Sequence, residues 1–420
     1  MTENFAFPGR RWLSLLLLAA LTGGCAARNE QPVAPGASQG TRGAQRTQSA
    51  GPPSPLNDLV RDVCDKSVVL LGEEAHHGSG QTLEVKSEVV KRLIEQCGFN
   101  AVYFESGGYE FLDLNRRLAA KTSAPEQVSD AIGGLWSVSN AIDPLVDFLY
   151  AQASAGRVRL AGLDPQLGQA TSGYMKAKLP AELVQALKEP RRTECQEVIS
   201  RRTNARFDAE HPDDEAARNT IVECFREAVG TGTLDPDLSA LASATLTLLT
   251  NPPGRGRGWE TRERQMAQLF RWYRERTPGV SKVIVWTANV HATRSAEVVG
   301  VTVRPFGDEL HAELGDKLAA IAFTALGGEY GRSRIDPIPP APPSSLETQA
   351  LAGGDDAMHY VPKAALAKLG YVDASILNYD ATTLAEWSLL FDGVFVLREE
   401  KPLTIDRGVT PRFVPADRAQ

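Results

Sequence analysis

Two short apolar runs, separated by one helical pattern, constrain the fold of this chain most strongly. The first run, Ser67 to Gly72, is rich in β-branched residues and ends in glycine, and the second is Ala101 to Phe104. Between them Leu83, Val90 and Leu93 lie on one helical face. A strand, a helix and a strand in this order predict a βαβ unit with parallel strands.

Four further apolar runs alternate with helical patterns along the chain: Arg157 to Leu163, Val283 to Thr287, Leu318 to Thr324 and Gly393 to Leu397. Strands that alternate with helices predict an α/β fold with a mainly parallel central sheet flanked by helices. Residues from about 166 to 250 show polar helical stretches, which predict an α-helical insertion. The Gly- and Pro-rich segments Asn251 to Gly258 and Ile335 to Ser345 are predicted to be mobile loops without regular structure that border the site.

The first 25 residues have the organisation of a signal peptide. Arg10 and Arg11 precede the apolar stretch Trp12 to Leu21, which is too short to cross about 30 Å of hydrocarbon. The sequence Thr22-Gly23-Gly24-Cys25 is similar to a lipoprotein processing site, although an aliphatic residue usually stands where Thr22 is. We expect export and a lipid on Cys25; ordinary cleavage near an unmodified Cys25 is the alternative.

The expected location is the cell envelope, at the outer membrane or the periplasmic face, with the membrane contacted through the lipid on Cys25. Residues 26 to 55 are rich in Gly, Pro, Ser, Gln and Arg, which predicts a disordered tether. Residues 56 to 415 are then predicted to form the α/β domain, including the insertion. The net charge of −7 provides no basic surface for nucleic acid, so nucleic acid is not an expected partner.

Four cysteines follow Cys25, an even number in a chain predicted to reach an oxidising compartment. Neighbourhood in sequence favours the pairs Cys64 with Cys97 and Cys195 with Cys224. Three pairings are allowed, and spacing alone does not decide between them or exclude free thiols.

Two carboxylates and two imidazoles follow the first predicted strand directly: Glu73, Glu74, His76 and His77. Open α/β sheets bind ligands at the carboxyl ends of their strands. A carboxylate beside a histidine fixes the tautomer of the ring and stabilises its protonated form, so the pair acts as a general base. The sequence therefore predicts acid–base chemistry at this edge of the sheet.

Other predicted strands end in residues of the same kind. Glu105 follows Phe104, Asp164 follows Leu163, and Asn289 and His291 follow the strand that ends near Thr287. Lys86 lies on the apolar face of the first helix, where an ammonium must either reach water or meet a buried anion. Each signal is weak alone, but their shared position predicts one site.

The pattern resembles the erythromycin esterase family, which includes succinoglycan biosynthesis-like proteins. The matching motif is Glu-x-x-His-Gly after the first strand, then a basic residue in the next helix, then a strand that closes on Phe-Glu. The resemblance covers most of the chain after the tether, through these positions: Glu74, His77, Gly78, Lys86, Phe104, Glu105, Trp136, Gly162, Asp164, Arg262, Glu263, Met266, Ala267, Trp286, Asn289, His291, Phe306 to Leu310 and Phe391 to Gly393.

The chain departs from the family pattern at three places. Glu73 and His76 offer a second register for the Glu-x-x-His motif, although Glu74, His77 and Gly78 fit the motif better. Ala288 stands where the family usually has a histidine, and Lys86 stands where it often has an arginine, which would bind a carboxylate at two points.

The resemblance implies that the protein hydrolyses carboxylic esters or lactones, macrolides among them, and hence a role in antibiotic resistance. His77 would activate water while Glu74 or Glu105 orients the ring, and His291 and Lys86 would stabilise the oxyanion. Asn289, Asp164, Trp136, His76 and Glu73 are the expected substrate-binding residues. No cofactor is expected.

Three other hypotheses remain at this point. The same rim residues are of types that ligate metals, so a metal-dependent hydrolase is one alternative. A lipoprotein that binds a small molecule without turnover, because Ala288 has replaced a histidine, is another. A serine hydrolase is disfavoured, because the Gly-x-Ser-x-Gly match at Gly36 to Gly40 lies in the predicted tether.

Overall fold

The computed structural model describes residues 54–168, 173–252, 258–300, 302–332 and 334–404. The predicted signal peptide, Cys25, Gly36 to Gly40 and nearly all of the predicted tether lie outside these residues. Most of the loop predicted between Asn251 and Gly258 lies outside them as well. Within the described ranges no helix is both long and apolar enough to span a membrane.

A largely parallel sheet of eight strands forms the centre of the fold, in the order β3-β2-β4-β1-β5-β10-β7 with β6 paired to β5. Strands β7 and β6 run antiparallel to their neighbours, and β8 and β9 form a separate hairpin. The strands are β1 (Val68–Leu71), β2 (Ala101–Gly107), β3 (Arg159–Asp164), β4 (Val283–Trp286), β5 (Leu318–Gly331), β6 (Ile335–Pro337), β7 (Met358–Pro362), β8 (Tyr371–Ala374), β9 (Thr383–Glu386) and β10 (Gly393–Glu400).

The α/β class and all six strands predicted from the sequence are confirmed. Their apolar runs are detectable because helices cover both faces of the sheet: in β1, Val68 and Leu70 pack into one hydrophobic cluster while Val69 and Leu71 pack into the other. One loop prediction is wrong, because Ile335–Pro337 pairs with β5 as β6. Pro337 has no backbone N–H to donate, but an edge strand tolerates this at its end because no further strand pairs there.

Sixteen α-helices surround the sheet in the described part of the chain. They are α1 (Pro55–Val63), α2 (Gly80–Cys97), α3 (Gly108–Ala120), α4 (Pro125–Ile132), α5 (Asp143–Ser154), α6 (Gly173–Ala177), α7 (Leu179–Val184), α8 (Arg191–Thr203), α9 (Glu215–Gly230), α10 (Pro236–Thr250), α11 (Gly258–Arg276), α12 (Asn289–Ala292), α13 (Phe306–Leu314), α14 (Leu346–Ala350), α15 (Lys363–Leu369) and α16 (Trp387–Leu390).

Helices α6 to α10 occupy the segment in which the sequence predicted a helical insertion. They pack onto the same hydrophobic cluster as one face of the sheet, and the described residues form one compact unit. Two disulfides, Cys64–Cys97 and Cys195–Cys224, confirm the pairing that sequence neighbourhood favoured. The first joins the ends of α1 and α2, and the second joins α8 to α9.

Candidate active site

Three neighbouring parallel strands carry the polar residues predicted from the sequence at the same level, where β1 and β4 end and β2 continues. Leu71 of β1, Trp286 of β4 and Phe104 of β2 are register partners across the sheet. The residues that follow them therefore meet at one edge. Glu105 continues β2, whose register shifts after Phe104. Asp164 ends β3, the next strand along.

The first cluster at this edge is a carboxylate and histidine pair, Glu73 and His77. Oε1 of Glu73 lies 2.6 Å from Nδ1 of His77, and both side chains are buried. Because an ionised carboxylate only accepts hydrogen bonds, Nδ1 carries the hydrogen in the neutral ring and Nε2 is left as the basic nitrogen. This is the arrangement that a general base requires.

Two further side chains hold the Glu73 carboxylate. Nζ of Lys86 donates to Oε2 at 3.1 Å, and the indole Nε1 of Trp136 donates to Oε1. Burial alone would raise the pKa of Glu73, but Lys86 and the hydrogen bond from His77 outweigh it and lower the pKa. Burial lowers the pKa of Lys86 to about 8 against the attraction of Glu73. Near neutral pH the pair is ionised, and Glu73 accepts from three donors at once.

The backbone at His77 brings its ring back onto Glu73. His77 has φ of 55°, in the left-handed region that residues other than glycine seldom occupy. The following Gly78 has no room for a side chain, because a Cβ there would lie 2.5 Å from the backbone nitrogen of Gly331. The close approach of β5 explains why the motif has glycine after histidine.

The expected partner of the His77 ring is therefore corrected: the carboxylate of Glu73 contacts the ring, whereas Glu74 meets His77 only through its backbone carbonyl, which accepts the backbone N–H of His77 at 3.2 Å. Oε2 of Glu74 lies 3.1 Å from Nδ1 of His76, and Oε1 accepts the backbone N–H of Gly78 at 3.0 Å. The hydrogen bond with Glu74 raises the pKa of His76, whose side chain is half exposed. Glu74 thus stabilises the loop through its hydrogen bonds. The Glu-x-x-His spacing predicts the wrong partner for His77, because the turn at His77 brings its ring to Glu73, four residues earlier.

The second cluster surrounds His291 on α12. Its Nδ1 lies 2.6 Å from Oε1 of Glu263, and its Nε2 lies 3.0 Å from Oε1 of Glu105. Burial lowers the pKa of His291, but the two carboxylates outweigh burial and raise the pKa to about 10. His291 is therefore an imidazolium at neutral pH, and it donates hydrogen bonds rather than accepting protons.

Arg262 of α11 completes the second cluster. It contacts Glu105 at 3.0 Å and Asp164 at 2.7 Å, so Asp164 serves here as a partner of a buried guanidinium. Nη1 of Arg262 also lies 3.1 Å from Nε2 of His291, a contact between two cations that the three surrounding carboxylates compensate. Burial opposes ionisation of Glu105, but His291 and Arg262 hold its pKa well below the usual range.

The other oxygen of Glu105 is held by the end of β4. Oε2 accepts from Oγ1 of Thr287 at 2.7 Å and from the backbone N–H of Ala288 at 2.9 Å. Ala288 itself is buried. Its backbone thus fixes Glu105, although its side chain brings no imidazole to the site.

The substrate-binding role expected for Asn289 is not supported by its contacts. Both hydrogens of its amide are donated to backbone carbonyls, of Phe323 at 2.9 Å and of Ile376 at 2.6 Å, and its Oδ1 accepts from the backbone of Phe323. Asn289 therefore ties the end of β4 to β5. Trp136 is likewise buried with its indole hydrogen on Glu73, so it holds the first cluster.

Arg262 and Glu263 are absent from the candidate site residues chosen on the sequence, although both lie in the resembling segment. They reach the site from α11. They do not follow a predicted strand, which was the sequence signal for the other site residues. Their signal in the sequence is an Arg-Glu pair on a helix face that also carries Met266, Ala267 and Phe270, because a guanidinium and a carboxylate on an apolar face require charged partners.

The two clusters give the site one histidine whose Nε2 is the basic nitrogen and one histidine that two carboxylates keep charged at neutral pH. In the described ranges no group of three or more His, Cys, Asp or Glu side chains is arranged to hold a metal ion. Two cavities lie apart from these residues, one of about 150 Å³ beside Glu110 and Tyr174 and one of about 300 Å³ beside Phe207 and His211.

Comparison with known proteins agrees with the sequence pattern. The model of a family described as Erythromycin esterase matches residues 94–388, which is more than half of the chain. The match begins within α2 and so includes Glu105, Arg262, Glu263 and His291, whereas Glu73 and His77 precede it. No curated protein matches the sequence.

Three solved structures share the fold at low sequence identity. A protein from Bacillus cereus is 17% identical with a TM-score of 0.64, covering 86% of this chain and 96% of its own. A succinoglycan biosynthesis protein is 16% identical with a TM-score of 0.62, covering 84% and 92%. The erythromycin esterase EreC, in the open conformation of a histidine-to-asparagine mutant, is 16% identical with a TM-score of 0.61, covering 82% and 93%.

Proposed function

The chain belongs to the erythromycin esterase family, and from that premise we propose that it hydrolyses carboxylic esters or lactones with His77 as the general base. Membership supports ester hydrolysis at the level of the family. The observation that carries the proposal for this chain is the 2.6 Å contact between Glu73 and Nδ1 of His77, which leaves Nε2 as the basic nitrogen. The ionised Glu73 stabilises the imidazolium that forms when the ring takes a proton.

In the proposed reaction a water molecule gives a proton to Nε2 of His77 while its oxygen bonds to the carbonyl carbon. The carbonyl π electrons move to oxygen and form a tetrahedral oxyanion. When the intermediate collapses, the bond between carbon and the alkoxy oxygen breaks, and that oxygen takes the proton back from His77. The products are a carboxylic acid and an alcohol, and no covalent enzyme intermediate is formed.

In the proposed reaction the oxyanion is stabilised by positive charge from both clusters, Lys86 in the first and His291 and Arg262 in the second. His291 is cationic at neutral pH, and Lys86 and Arg262 are further cations within the two clusters. Both ring hydrogens of His291 are directed at carboxylates, so His291 acts on the oxyanion through its charge. A fixed charge in a buried site stabilises a developing charge by a few kcal/mol. Glu105 and Glu263 hold His291 in its charged form, and both carboxylates also interact electrostatically with Arg262.

The residue at position 288 bears on the choice of substrate. Ala288 leaves the site without the side chain of a second imidazole next to Glu105, so the pocket near the scissile bond is shaped differently from one with histidine there. We propose small esters and lactones, macrolides among them, as the substrate class to test first.

The test is a panel of simple esters and macrolide lactones assayed with wild-type protein, with His77→Ala and with His76→Ala as the matched control. We expect His77→Ala to lower kcat by at least about 10²-fold, because general base catalysis contributes 10² to 10⁴. We expect His76→Ala to change it less than about fivefold, because the ring of His76 is half exposed and bonds to Glu74.

The same panel is run with and without a chelator. Turnover that survives the chelator and disappears in His77→Ala supports the proposal. Turnover lost to the chelator and restored by a metal ion would replace it with a metal-dependent hydrolase. Saturable binding of a panel member by wild type and His77→Ala alike, without hydrolysis, would assign a binding role instead.

A further inference from the structure

The helix that carries Lys86 begins without a cap of its own. The N-cap residue of α2 is Ser79, whose side chain makes no capping hydrogen bond. The first backbone N–H groups of a helix have no partner inside the helix, and a buried helix end must satisfy them elsewhere. The first turn of α2 is buried at Gly80 and Thr82.

Glu400, at the end of β10, supplies the missing acceptor from the far end of the sequence. Its Oε1 accepts the backbone N–H groups of Gln81 at 2.8 Å and Thr82 at 3.1 Å. Its Oε2 accepts from Oγ1 of Thr82 at 2.6 Å and from the hydroxyl of Tyr379 at 3.3 Å. A carboxylate at a helix N-terminus also interacts favourably with the helix dipole.

The residues after Glu400 hold the loop that bears His77. The carbonyl of Lys401 accepts the backbone N–H of Gly80 at 2.6 Å, and Pro402 pairs with Ser79. A Cβ on Gly80 would lie 2.5 Å from the carbonyl oxygen of Pro402, so the two backbones are in direct contact. The beginning of α2 and the end of the loop that bears His77 are thus both held against the residues at the end of β10.

We propose that Glu400 is a positioning residue for the reaction proposed above: by capping α2 it sets the place of Lys86, and through Lys86 and Glu73 the place of the His77 ring. Three contacts carry the effect, from Glu400 to the first turn of α2, from Lys86 to Glu73 at 3.1 Å, and from Glu73 to His77 at 2.6 Å. Glu400 touches no reacting atom.

Glu110 offers a matched control. It is also a buried carboxylate, and it accepts the backbone N–H groups of Tyr174 at 3.1 Å and Met175 at 2.8 Å in the first turn of α6. Burial raises the pKa of Glu110 and of Glu400 to about 7. The two carboxylates therefore do the same capping work, but α6 carries none of the residues proposed for the reaction.

The experiment compares Glu400→Ala, Glu400→Gln and Glu110→Ala by ester hydrolysis and thermal unfolding. We expect Glu400→Ala to lower kcat about 10- to 100-fold with KM changed less than about threefold, because a displacement of about 1 Å costs up to about 10²-fold. Glu400→Gln keeps an acceptor oxygen for Gln81 and Thr82 and is expected to restore kcat to within about threefold. Glu110→Ala is expected to lower Tm with kcat unchanged.

A loss of kcat in Glu110→Ala as large as in Glu400→Ala, or full kcat in Glu400→Ala, would overturn the inference. If Glu400→Ala does not fold, Glu400→Asp carries the test, because one methylene fewer withdraws the carboxylate from α2. We then expect a lowered kcat in Glu400→Asp and a kcat close to that of wild type in Glu400→Gln. An unchanged kcat in Glu400→Asp would contradict the positioning role of Glu400.

Because the inference rests on the proposed function, a second readout separates the two. The ring signals of His77 are followed by NMR at one fixed pH and are assigned by their absence in His77→Ala. We expect their chemical shifts to change in Glu400→Ala and to stay in Glu110→Ala. Wild type that hydrolyses no ester would refute the function while these signals still decide the positioning; unchanged signals in Glu400→Ala would refute the positioning alone.

Discussion

At the scale of single residues, the site separates the work of two histidines by their surroundings. His77 has one carboxylate partner, Glu73, which also accepts hydrogen bonds from Lys86 and Trp136. His291 lies between two carboxylates, which keep it charged. Pairs of titratable groups whose environments differ in this way take different roles in one reaction. In the proposed reaction one ring accepts a proton, and the other supplies positive charge.

The charged state of His291 predicts a pH dependence of stability. Its pKa is raised from 6.5 to about 10, so the folded state binds a proton more tightly than the unfolded state. That contribution is fully present below pH 6.5 and is lost as the pH rises through about 10, because between those values only the folded state holds the proton. It amounts to a few kcal/mol, since one pKa unit corresponds to about 1.4 kcal/mol.

We therefore expect wild type to exceed His291→Gln in free energy of unfolding most strongly at pH 6, and the difference to shrink steadily towards pH 10. Urea unfolding of both proteins across this range measures it. A difference that stays constant with pH would mean that His291 is neutral in the folded protein, and the proposed source of oxyanion stabilisation would be lost with it.

At the scale of elements, the two disulfides each close a loop of similar length, with sequence separations of 33 and 29. Cross-linking restricts the unfolded chain, and loops of this size are expected to contribute about 3 to 4 kcal/mol each. Replacing Cys64 and Cys97 together by serine should therefore lower the free energy of unfolding by about as much as replacing Cys195 and Cys224. Urea unfolding under oxidising conditions checks this, and a change below about 1 kcal/mol in either variant would contradict it.

The strands were predictable from the sequence, and some of the site residues were not. The six apolar runs predicted the six strands because a sheet covered on both faces needs continuous apolar strands. Strand ends then brought Glu105, Asp164 and His291 to one edge, as expected. The short edge strands β6 and β7 carry no such run. Arg262 and Glu263 enter from α11, and only the three-dimensional packing of that helix brings them to β2 and β3.

Local geometry accounts for the remaining differences. The pairing of Glu73 with His77 depends on the left-handed backbone at His77, which the residue type does not indicate. The bonds of Asn289 depend on Ile376, 87 residues away. The cap from Glu400 joins residues 318 positions apart. Contacts of this kind depend on the fold as a whole, so residue spacing gives no access to them.

At the scale of the whole molecule, the location of the protein is a prediction from its first 25 residues. We propose that Cys25 carries lipid and anchors the domain to the cell envelope through the following tether. Wild type expressed in a Gram-negative host should be recovered in the membrane fraction, and Cys25→Ser in the soluble envelope fraction. Equal distribution of the two proteins would refute the anchor and leave the proposed reaction untouched.

In the proposed reaction Glu73, and not Glu74, supports His77 as the base. The most direct measurement is kcat/KM for the best ester of the panel with Glu73→Gln and Glu74→Gln. We expect Glu73→Gln to lower it by about 10²- to 10⁴-fold, because an amide favours the wrong tautomer of the ring, and Glu74→Gln to lower it less than about tenfold. The reverse order would contradict the account and give the base the partner that the sequence motif favoured.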